Sequence, residues 1–261
     1  MVKYDDGLPA RVSQQLLRRI IGKEFPPGTV LPSEREIGET YAVSRPVARE
    51  AIKLLAARGI VSVHPRQGAT VGHDLTGAAG EALLLAFHQA NTVQEDILNM
   101  RLLLEPHVAS LAAHHATVVQ LRRLTTIRQL IGGVVDAVEA GDRVLADKLW
   151  PQTDAPLHVL LAEMSQNPVF KIFVEIIDTI LWPRKQDTTP IMTDENLQRA
   201  SLQHAAILDA VSAHDPVAAQ RAMIDHLEYT RDHVLSFRNQ LQQPVQVVLE
   251  QESGVRSQKP E

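Results

Sequence analysis

A mainly α-helical chain of two domains is predicted, with a winged helix-turn-helix over residues 1–75 and an all-α bundle of six or seven helices over residues 76–243. Three observations predict it. Residues 31–71, LPSEREIGETYAVSRPVAREAIKLLAARGIVSVHPRQGATV, read as two short helices a few residues apart followed by a small polar hairpin. The stretch from Gly72 to Gly80 gathers small residues and turn formers, as a domain boundary does. Beyond it, only helical patterns recur until about residue 243, and residues 244–261 form a polar tail expected to be loose.

Residues 11–22 read as the first helix, with Val12, Leu16, Ile20 and Ile21 at helical spacing and Pro26-Pro27-Gly28 after it. The second opens at Ser33, which with Glu36 forms a capping box in which each side chain satisfies an orphan N–H of the first turn. Ser44 is the N-cap candidate of the third helix, and Pro46 sits in its first turn, where a missing N–H costs little. Val47, Ala51, Leu54 and Leu55 are the expected buried stripe, with Gly59 as the stop. Ile60–Val63 and Ala69–Val71 read as strands joined by a basic tip, His64-Pro65-Arg66-Gln67-Gly68. In the second domain, Thr92 with Glu95 and Thr117 with Gln120 are capping boxes, and Gly132-Gly133 should weaken the helix after Thr117. Gly141-Asp142 starts another segment; Asn167-Pro168 and Asp215-Pro216 each pair an N-cap with a proline at the first helical position.

Arg45 and Arg49 lie four apart, on one face of the third helix and away from its apolar stripe. A helix that offers Ser44, Arg45 and Arg49 near its N-terminus suits a major groove, where arginine can bond guanine edges or phosphate. The net charge of −5 conflicts with DNA binding only until the chain is divided. Residues 1–75 hold 11 Lys/Arg against 8 Asp/Glu, whereas residues 76–261 hold 15 against 23. Only the N-terminal part therefore has the sign that phosphate favours.

Residues 11–72 resemble the DNA-binding domain of the GntR family of bacterial transcription regulators. The resemblance is carried by Pro27-Gly28, Leu31-Pro32-Ser33-Glu34-Arg35, Val43-Ser44-Arg45, Arg49-Glu50-Ala51, Gly59, Gly68 and Val71. It implies that Arg35, Arg45 and Arg49 contact operator DNA and that His64, Arg66, Gln67 and Gly68 form a wing entering the minor groove. Ser33, Ser44 and Pro46 complete the candidate DNA-facing set. Ser-Arg-Pro-Val-Ala-Arg stands where the family more often has Ser-Arg-Thr-Pro-Val-Arg, so Arg49 keeps its place while the base preference around Pro46 changes.

Nine of the 11 histidines fall in the helical domain, and four positions there form a set. Asp154 and His158 are four apart, so one helix can aim both into one space. His204 lies 11 residues before Asp215 and His226 lies 11 after it, which places them at matching heights on antiparallel helices. Three imidazoles and a carboxylate suit a divalent cation, with zinc first and nickel or manganese as alternatives. Spacing alone leaves a set of ordinary surface or core histidines equally open.

Residues from about 81 to 240 resemble the FCD ligand domain of the FadR-like GntR subfamily, through Arg101 with Glu105, Asp154 with His158, Asn167, His204 and His226. The resemblance implies that Asp154, His158, His204 and His226 ligate the metal, and that a small organic or sugar acid fills its open positions with Arg101 as a partner. Trp182 and Arg184 are further pocket candidates. Pro156 lies between Asp154 and His158, and would turn the Asp154 carboxylate toward backbone N–H groups if Asp154 were an N-cap.

The expected function is a metabolite-responsive regulator, a repressor by default, which binds palindromic operator DNA as a homodimer and is not an enzyme. A metal-dependent enzyme acting on an organic acid and a non-sensing DNA binder with a structural metal remain open as alternatives at this point. The absence of cysteine excludes disulfides and thiolate metal sites and fits a reducing cytoplasm. The N-terminus lacks a signal-peptide core, and no apolar run is long enough to span a membrane.

Overall fold

The computed structural model describes residues 7–64, 67–72, 76–92, 94–181 and 192–236. The chain divides into two compact units, residues 1–81 and 82–261.

The first unit contains α1 (Leu8–Ile21), α2 (Glu34–Tyr41), α3 (Arg45–Ala56), β1 (Val61–His64) and β2 (Gly68–Val71). The capping box at Ser33 forms as expected: Glu36 N donates to the Ser33 hydroxyl, and Ser33 N donates to Glu36 Oε2 at 2.8 Å. The turn after α2 is closed by Val43 N on Gly38 O at 2.9 Å, with Ala42 in the left-handed region. Ser44 occupies the N-cap position of α3, but its hydroxyl makes no cap bond. The buried stripe of α3 is Ala48, Ala51, Ile52 and Leu55; Val47 is half-buried and Leu54 exposed. Small side chains at 48 and 51, both fully buried, let α3 approach α1 closely, so the bulkier flanking residues fall at the edge of the contact. Along α1, Val12 and Leu16 are buried as expected, whereas Ile21 in the last turn is exposed.

Gly59 ends α3 at φ +68°, with Ile60 N bonded to Leu55 O and Gly59 N to Ala56 O, a Schellman pair. The wing strands pair antiparallel, from Val61 opposite Val71 to His64 opposite Gly68. The segment before α2 also joins this ladder: Gly28 N donates to Val71 O, Val71 N to Thr29 O and Leu31 N to Ala69 O. That strand-like edge has no alternating pattern of its own, being short and rich in proline and glycine. Gly38 is held by contact instead, because a Cβ there would lie 2.8 Å from Val43 O. Gly38→Ala is therefore expected to cost more than about 1 kcal/mol, read as a lower melting temperature, because a backbone carbonyl must shift. A melt equal to wild type would show that the turn yields freely.

Among the described residues eight α-helices follow: α4 (Thr76–Gln89), α5 (Gln94–His115), α6 (Val118–Glu139), α7 (Arg143–Leu149), α8 (Asp154–Met164), α9 (Pro168–Leu181), α10 (Asp194–Ser212) and α11 (Pro216–Ser236). The excess over six or seven arises after Gly141, where α7, a 3-10 turn at Trp150–Gln152 and α8 follow one another closely. Position 93, inside the Thr92–Glu95 box, lies outside the described residues, as do residues 237–261 with the expected tail. The Thr117–Gln120 box forms, and Asp142, Asn167 and Asp215 each accept a backbone N–H at a helix start. Gly132-Gly133 does not interrupt α6; the absent side chain at Gly133 makes room for Leu149, whose Cδ1 a Cβ would meet at 3.2 Å.

The main core of this unit lies among α5, α6, α8, α10 and α11, around Val108, Ala112, Leu124, Leu157, Leu161, Ile207, Leu208 and Met223. Helix α8 buries Leu157, His158, Leu160, Leu161, Ala162 and Met164, which leaves it few exposed positions. Among the described residues no helix is long and apolar enough to cross a membrane.

Candidate metal centre and DNA-facing surface

The central position of α8 explains how polar side chains come to converge in an apolar bundle. Asp154 is the first residue of α8, and Thr153 takes the N-cap position that Pro156 had put in question for Asp154. The Asp154 carboxylate faces inward: its Oδ1 lies 3.5 Å from His204 Nε2 and 4.0 Å from His158 Nε2. The Asp215-Pro216 turn makes α10 and α11 neighbours and brings His204 Nε2 to 3.2 Å from His226 Nε2. One donor atom from each of Asp154, His158, His204 and His226 lies within 4.8 Å of all the others, and the three imidazoles are buried.

This donor set fits a divalent ion. Ligands held about 2.1 Å from one ion stand about 4.2 Å apart at most, and the separations of 3.2, 3.5 and 4.0 Å within the set fall inside that span. Burial, only partly opposed by Asp154, pushes the His204 imidazole down to about 3. Burial together with His204 and His158 pushes His226 well below its ordinary value. Both rings are therefore neutral near pH 7, the form that donates to a metal. His204 Nδ1 and His226 Nδ1 are buried without a hydrogen-bond partner.

His158 is oriented differently. Its Nδ1 lies 2.5 Å from Glu105 Oε2, off the direction of an ideal hydrogen bond. Glu105 lies on α5 and also accepts from Arg101 Nε at 2.5 Å. Burial alone would raise the Glu105 carboxyl, but Arg101 and His158 overcome it and hold the group well below the usual carboxylate range. Burial likewise opposes the charge on Arg101, yet Glu105, Asp154 and Asp178 hold its pKa above the ordinary value. Arg101, the candidate effector contact, is thus buried and engaged by Glu105 beside the cluster. Trp150 stacks on His204, with ring centroids 5.2 Å apart and planes 7° from parallel.

The Glu105–His158 contact and the Trp150 wall escaped the sequence reading. The i,i+4 spacing of Arg101 and Glu105 signals their own pairing, but nothing along the chain signals the approach of α5 to α8. Trp182 and Arg184 lie outside the described residues.

In the winged unit, Ser33, Arg35, Ser44, Arg45, Pro46, Arg49, His64, Gln67 and Gly68 are all exposed, and Arg66 lies outside the described residues. Arg35 pairs with Glu39 at 3.5 Å, and Arg49 makes two bonds to Glu34.

Comparison with known proteins agrees with both halves. Residues 8–71 match the family of bacterial regulatory proteins, gntR family, and residues 96–229 match the FCD domain. The HTH-type transcriptional repressor NanR of Citrobacter rodentium is 32% identical over 234 residues, covering 84% of this chain and 82% of that protein. YieP, an uncharacterized HTH-type transcriptional regulator of Escherichia coli K12, is 31% identical over 81% of this chain and 88% of its own length. A solved structure of Streptococcus agalactiae GntR is 28% identical, with a TM-score of 0.62 over 86% of this chain and 99% of that one. The chain therefore belongs to the GntR family of bacterial transcription regulators, with a winged helix-turn-helix followed by an FCD domain.

Proposed function

We propose that this regulator is a repressor that binds palindromic operator DNA as a homodimer and is released when a small organic or sugar acid occupies a divalent-metal centre in the FCD domain. The observation that carries this reading is the convergence of Asp154, His158, His204 and His226 inside the bundle. Three buried imidazoles and a partly buried carboxylate serve no evident need of the core, since burying polar groups without partners costs free energy. A bound divalent ion would supply Lewis acidity and open positions for a carboxylate, while Glu105 fixes the ring of His158 from behind. Ligand binding then shifts the population of conformers competent for DNA. Support for repression comes from relatives named as repressors.

A thermal-shift screen of small carboxylates with and without zinc, nickel or manganese, followed by gel shifts, tests the proposal. Metal-dependent stabilisation by an acid that also weakens DNA binding is expected. If no acid changes either the melting temperature or DNA affinity, the sensing role fails. On the DNA side, Arg45→Ala is expected to abolish specific gel shifts while leaving metal content unchanged. Specific binding retained by that variant would remove Arg45 from the recognition set.

A further inference from the structure

The two bonds between Glu34 and Arg49 join the first helical residue of α2 to the exposed face of α3. Arg49 Nε donates to Glu34 Oε1 at 2.8 Å and Arg49 Nη2 donates to Glu34 Oε2 at 2.9 Å. The carboxylate thus occupies the Nε/Nη2 edge of the guanidinium. Of the five N–H donors of an arginine, this arrangement leaves both on Nη1 and one on Nη2, and the Nη1/Nη2 edge is the parallel fork that matches O6 and N7 of guanine. Glu34 is itself well placed, because the Ser33–Glu36 box fixes the first turn of α2. Its side chain is 27% exposed, against 58% for Arg49, so the carboxylate is the better anchored partner. Arg49 holds the Glu34 carboxyl below its ordinary value, with Arg45 and Lys53 contributing, so the clamp is charged near neutral pH.

We infer that Glu34 is a specificity-determining residue that clamps Arg49 so that it reads a base edge with one fork while its charge is offset at the DNA surface. A charge offset in this way contributes little to counterion release, and a fixed fork loses less freedom on meeting a guanine. Sequence preference is thereby raised relative to general attraction for phosphate. The inference rests on the assignment of Arg49 to the recognition helix.

The test uses the full-length protein, a randomised duplex library for selection, and a scrambled duplex for non-specific binding. Glu34→Gln keeps the shape and removes the charge. It is expected to bind the scrambled duplex more tightly, to steepen the slope of log affinity against log salt by about 0.9 per protomer, and to lose about tenfold in preference at one base pair of each half-site. Arg49→Lys keeps the charge without the fork, and should lose the same preference with the wild-type salt slope. Wild-type slope and preference in Glu34→Gln would overturn the inference, as would wild-type preference in Arg49→Lys. Arg49→Ala separates the two levels. If it selects sequences as wild type does, the recognition-helix assignment itself falls. If it loses selection while Glu34→Gln matches wild type, only the clamp falls.

Discussion

His204→Ala combined with His226→Ala is expected to leave the FCD domain unable to retain a divalent ion. The pair supplies two of four donors, and their Nε2 atoms lie 3.2 Å apart. Loss of a residue that merely orients a ligand typically costs about 10–100-fold in metal affinity, so losing two donors should exceed that range. Elemental analysis after dialysis against limiting metal is the measurement, with circular dichroism to confirm the helical content. Stoichiometric metal in the double variant would show that other residues hold the ion. The same protein should still shift operator DNA but should no longer respond to a carboxylate.

Arg101→Ala has the largest expected effect on stability. Glu105, 3% exposed in the intact protein, loses its guanidinium partner in this variant. Removing one partner of a buried pair costs about 3–5 kcal/mol, a fall in Tm on the order of 10 °C for a domain of this size. His158 remains beside Glu105 and sets the lower end of that range. A variant that melts with wild type would remove the pair from the structural framework. A lost effector response in Arg101→Ala alone is therefore ambiguous. Arg101→Met with Glu105→Gln, which removes both charges, is expected to recover much of the stability, and comparison with Glu105→Gln alone, which also alters the contact with His158 but keeps the guanidinium, separates the contribution of Arg101 to acid binding.

Much of this centre could be read along the chain because its geometry is local. Asp154 and His158 share a face through helical spacing, and the Asp215-Pro216 turn determines which residues of α10 and α11 meet. The capping box at Ser33 and the Schellman stop at Gly59 are likewise encoded within a few residues. What could not be read depends on contacts between distant segments. Glu105 meets His158 only because α5 packs on α8, and Trp150 meets His204 across the 3-10 turn and α10. The face of α3 was misjudged because Ala48 is buried by close approach to α1, where backbone proximity outweighs side-chain size.

The equal arms of the α10–α11 hairpin carry a consequence for how this family member can change. His204 and His226 stand the same number of residues from Asp215, so the two arms act as a ruler for the distance between two donors. One residue inserted within either helix, between the turn and its histidine, would advance that histidine by about 1.5 Å and turn it by about 100° relative to the other. The turn itself can lengthen without moving either donor, whereas the two arms cannot. Insertions within these arms should therefore be as damaging to metal retention as substitutions at the histidines themselves.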